Sequence, residues 1–72
     1  MEMFEFYIQD LHHRAEIAFQ KGKHISTRQR KHQRVELYYV DKVFIEVCYK
    51  KDTNELSAVR AFTDLDLLEP YL

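Results

Sequence analysis

Apolar positions along the chain follow two different periods. From Met3 to Lys21, Phe4, Tyr7, Ile8, Leu11, Ala15, Ala18 and Phe19 recur every three or four residues, as one face of an α-helix requires. Glu2 and Glu5 open this segment and Lys21 and Lys23 close it, which suits the helix dipole, and Gly22 stands where a left-handed C-cap would form. From Arg34 onward the period shortens to two. Arg34–Val40, Val43–Tyr49 and Leu56–Phe62 are rich in β-branched and aromatic residues, and the polar breaks Asp41-Lys42 and Asp52–Glu55 separate them. That pattern predicts a three-stranded antiparallel meander. Thr63 or Asp64 then caps a short helix running to Glu69, anchored by Leu65, Leu67 and Leu68 and ended by Pro70. The predicted fold is α+β: an N-terminal amphipathic helix, a three-stranded β-meander and a short C-terminal helix, in one small domain over residues 1–72.

Alternate strand residues point to opposite faces, so Val35, Leu37, Tyr39, Val43, Ile45, Val47 and Tyr49 are expected on the core side. Val59 and Ala61 join them, because the opposite register of the third strand would bury Arg60 without a partner. The second face carries Glu36, Glu46 and Lys50, but also Tyr38, Val40, Phe44 and Cys48, and the back of the helix carries Phe6 and Ile17. A domain of this length buries only about 60% of its unfolded surface and gains much from a partner. The sequence therefore predicts a homodimer, formed through Tyr38, Val40, Phe44 and Cys48 or through Phe6 and Ile17. The apolar tail Pro70–Leu72 is expected to dock onto its own domain.

Charge changes this picture in one place. The net charge is −1, yet residues 1–20 carry −3, residues 21–34 carry +6 with no acid, and residues 35–72 carry −4. The basic tract, Lys21, Lys23, Arg28, Arg30, Lys31 and Arg34, is read either as a solvated strand or as a loop. Clustered cations of this kind can hold phosphates, and Tyr38, Phe44 and Tyr49 are placed to stack on bases.

Catalytic and metal chemistry find little support. One glycine cannot build a phosphate cradle, and Cys48 lies mid-strand without a helix start to activate it. His12 and His13 diverge by about 100° on a helix, so they cannot grip one ion together. No cofactor, metal or catalytic residue is expected. The single cysteine and the acidic start, with no long apolar run, predict a cytoplasmic protein without a membrane partner. The expected function is a small non-enzymatic protein-interaction module that self-associates. The alternative is a nucleic-acid-binding protein using the tract.

Overall fold

The computed structural model describes all 72 residues. Two helices, α1 (Met3–Tyr7) and α2 (Leu11–Lys21), precede four strands, β1 (Lys23–Gln29), β2 (Gln33–Val40), β3 (Val43–Lys50) and β4 (Leu56–Phe62), and a closing 3₁₀ helix spans Leu65–Tyr71. The strands form one antiparallel sheet in chain order. The α+β class is as expected, but the sheet has four strands, because the basic tract supplies β1. No helix is long and apolar enough to cross a membrane.

The expected single N-terminal helix is broken at Ile8–Asp10. Asp10 adopts an extended backbone and its carboxylate accepts the His13 N–H at 2.9 Å, which starts α2 afresh. Such a cap contributes about 1 kcal/mol. Arg14 fastens the break, donating from Nε to Gln9 O at 3.0 Å and from Nη2 to Tyr7 O at 3.0 Å. Freed from the axis of α2, α1 turns Phe6 inward. Phe6 is buried in the core and packs edge-on against Tyr7, not on the back of a helix as the unbroken periodicity implies.

The register of β2 also differs from the expectation. Asp41 and Lys42 have φ of 47° and 68°, so the β2–β3 connection is a two-residue turn of the type that matches sheet twist. It sets Val40 opposite Val43 and Tyr38 opposite Ile45. Even positions of β2 thus share a face with odd positions of β3. Tyr38 and Val40, not Tyr39 and Leu37, face the helices beside Val43, Ile45 and Val47, and Val59 and Ala61 complete that side as predicted. Phe6, Ala15, Ala18, Val40, Val43, Ile45, Val47, Val59 and Ala61 form the main core.

The far face holds Val35, Leu37, Phe44, Cys48, Arg60 and Phe62. Val35, Leu37 and Cys48 are nevertheless fully buried. The 3₁₀ helix lies against β1 on this side. Its Tyr71 ring sits 5.0 Å from the Arg28 guanidinium of β1, and its hydroxyl donates to Glu46 of β3, so the ring bridges over β2. Of the tail expected to dock on its own chain, Tyr71 does so, whereas Pro70 and Leu72 are exposed. The anchor is Tyr71 with half-buried Leu68, whereas Leu65 and Leu67 are exposed and the helix runs through Pro70 to Tyr71.

The two sheet edges are treated differently. The outer edge of β4 is closed: Tyr7 OH accepts from Ala61 N at 2.7 Å and donates to Ala61 O at 3.2 Å. Arg14 Nη1 reaches Val59 O at 3.5 Å. The β1 edge carries a bulge at Ile25 flanked by Lys23 and Arg28, a common defence against edge-to-edge pairing. That bulge sends His24 to the helix side with Thr27 and Gln29, so the even-numbered residues of the tract do not share one side.

Candidate nucleic-acid interface

A four-stranded meander puts its first and third turns at the same end of the sheet. Arg30 N donates to Gln33 O at 2.8 Å and closes the first turn around Lys31 and His32. Lys50 N to Glu55 O and Asn54 N to Lys50 O, both 2.8 Å, close the third. A single bond, Lys51 N to His32 O at 3.1 Å, ties the two turns together. The result is a shallow open groove lined by Lys31, His32, Gln33, Lys50, Lys51 and Asp52, with no apolar residue in it. Arg30 stands beside it. None of the four ion pairs in the protein involves Arg30, Lys31, Lys50 or Lys51. Asp52, the one acid of the groove, accepts the Thr53 N–H at 2.8 Å, and its charge stands against the three lysines that line the groove.

The six basic residues expected to act together are dispersed. Lys21 and Lys23 lie at the other end of β1, about 20 Å away at 3.3 Å per strand residue. Arg28 is held by Glu46 at 3.5 Å and by the Tyr71 ring. Arg34 pairs with Glu36 at 2.9 Å, donates to Asn54 Oδ1 at 3.1 Å and lies 4.5 Å over the Tyr49 ring. Of the six, Lys31 lines the groove and Arg30 opens the turn beside it, both without an ion-pair partner, and Lys50 and Lys51 join them from a segment with an acidic balance. The signal that points to them is topological: reading the tract as a strand brings the two turns together.

The proposed association surface is likewise redistributed. Phe6, Val40 and Cys48 are interior residues and offer no surface. Burial raises the Cys48 thiol, with Arg60 pulling the other way, so the group is a packed, unreactive thiol. Tyr38 and Phe44 lie on opposite faces, and Ile17 is half-buried against the core. The exposed apolar residues are others, chiefly Leu72, Leu65 and Leu67 near the C-terminus, and Phe4 at 75% and Ile8 at 62%, one turn apart on the N-terminal segment.

Beyond the cover of α2, the helix side of β1 and β2 carries a polar network. Glu36 accepts from Thr27 and lies 2.7 Å from His24 Nε2. Burial pushes the Glu36 carboxyl up, but the Thr27 and His24 hydrogen bonds and the His24 and Arg34 charges outweigh it, leaving the group below its ordinary range. A carboxylate lowered on folding contributes stability that is present above its ordinary pKa and lost as pH falls through the lowered value. Glu36→Gln should therefore be less stable than wild type at pH 7, with the gap in melting temperature closing between about pH 5 and 2. A gap independent of pH would show that the network acts by shape alone. His24 and His13 each pair with one carboxylate, and no group of three His, Cys, Asp or Glu stands together.

No family model, curated protein or solved structure matches the chain.

Proposed function

We propose that the protein is a non-enzymatic nucleic-acid-binding module that holds phosphates at the end of its sheet. The observation that carries this reading is the His32–Lys51 bond, which fuses two turns and concentrates four cations that have no internal partner. Phosphate binding releases condensed counterions, with a slope of about −0.9 per contact on duplex. Four contacts give a slope near −3.6, or roughly a hundredfold loss of affinity between 50 and 200 mM salt. Fluorescence anisotropy against labelled oligonucleotides at those two concentrations tests the reading. Saturable binding with that dependence, abolished in Lys50→Glu/Lys51→Glu at an unchanged melting temperature, is the expected result. Salt-insensitive binding, or none at 50 mM, would retire it. A second reading, self-association, is supported by exposed Phe4 and Ile8; sedimentation velocity on the same samples reports it.

A further inference from the structure

We infer, on the basis of the nucleic-acid reading, that this end of the sheet takes the sugar–phosphate backbone of a duplex and not the splayed bases of a single strand. Proteins that hold single strands combine a basic track with aromatic platforms, each base stacked being worth about 1–3 kcal/mol. The groove has no such platform: its lining is Lys31, His32, Gln33, Lys50, Lys51 and Asp52. The aromatic residues expected to stack are engaged elsewhere. Tyr38 packs against Phe19 at 5.7 Å and His24 at 5.3 Å. Phe44 is held between Tyr39 at 5.1 Å and Phe62 at 5.5 Å, on the far face. Tyr49 lies under Arg34. Gln33, the groove's only amide, donates to Ser57 Oγ at 3.2 Å, which turns its amide toward β4.

With stacking removed, affinity rests on charge density. A duplex presents one charge per roughly 1.7 Å of axis, twice the density of either strand alone, and its salt slope per contact is steeper. Width points the same way. Set broadside across the duplex, the sheet end is roughly 14 Å wide at three inter-strand spacings of about 4.8 Å, more than the major groove at about 12 Å. The sheet end rides across phosphate ridges without entering to reach base edges, and recognition is independent of sequence.

The test uses the full chain in anisotropy titrations at 50, 100 and 200 mM salt. The probes are a labelled 20-base-pair DNA duplex, a second duplex of unrelated sequence, the matching RNA duplex, and one unstructured strand of each. At least one duplex type is expected to bind about tenfold more tightly than its own strand, with the two DNA sequences within about threefold of each other. The DNA and RNA arms identify which backbone is preferred. Equal or tighter binding of single strands, or a tenfold preference between the two sequences, overturns the duplex inference and leaves the nucleic-acid reading standing. No binding of any probe overturns both.

Discussion

Gly22→Ala is expected to lower the melting temperature by roughly 10–20 °C. The reason is space, not conformation. Gly22 has φ −94° and ψ 159°, an extended backbone open to any residue, so the left-handed cap suggested by its position is absent. A Cβ at this position would collide with Ala18 O and stand 2.9 Å from Val40 Cγ2. The first of these atoms is backbone in the last turn of α2, and Gly22 N also donates to that same oxygen at 2.9 Å. Relief requires moving the helix end away from β2, where Val40 and Ala18 pack in the main core. Overpacking of this kind costs about 1–3 kcal/mol, with a rigid carbonyl as the obstacle placing it at the upper end. In a domain of this size each kcal/mol moves the midpoint by roughly 4–8 °C. Gly22→Asn separates the explanations: asparagine tolerates a left-handed cap but not a crowded strand entry, so it should be at least as damaging as alanine. A melting temperature for Gly22→Ala within about 3 °C of wild type would show that α2 yields without cost.

Gly22 illustrates how far the sequence could be read. The position is visibly special, yet the constraint is a squeeze between the Ala18 carbonyl of the last helical turn and Val40, eighteen residues away, and no local rule contains the second of these. The break in the N-terminal helix has a local trace in Asp10, a cap residue in the middle of an otherwise continuous apolar stripe. Continuity of period was the stronger pattern, and it placed Phe6 outside. The face of β2 was lost to arithmetic: counting alternate residues straight across Asp41-Lys42 ignores that a two-residue turn pairs an even position with an odd one. The same count makes Tyr38, Val40, Phe44 and Cys48 look like one uncovered surface, whereas two of them face the helices. The charge anomaly was legible as a block along the chain, but half of the free cations at the groove came from another turn.

The tail shows how far-face residues such as Val35, Leu37 and Cys48 are buried within a single chain. Tyr71→Ala is expected to cost about 3–4 kcal/mol, adding the loss of packed ring surface to a charge-assisted hydrogen bond worth about 1.5–3 kcal/mol. Against a total of roughly 4–11 kcal/mol for 72 residues, that brings the protein close to its folding limit. Glu46, mostly buried, would keep only Arg28 at 3.5 Å. Tyr71→Phe isolates the hydroxyl. Burial, then the hydrogen bond to Glu46 and its charge, push the Tyr71 phenol well above its ordinary range. A phenol raised on folding stabilises the protein fully below its ordinary pKa, and that contribution is lost as pH climbs beyond about 10. The stability gap between wild type and Tyr71→Phe should therefore be constant from pH 6 to 9 and narrow above 10. Because Tyr71 bridges Arg28 and Glu46 on the face that buries Cys48, the thiol gives an independent readout. Its labelling by a disulfide reagent should accelerate at least tenfold in Tyr71→Ala, yet change little in Tyr71→Phe, where the cover remains. Equal labelling rates in wild type and Tyr71→Ala would mean that Leu68 and the arginines close the far face without Tyr71, and the bridge from Arg28 to Glu46 would then be an ornament of the tail and not its anchor.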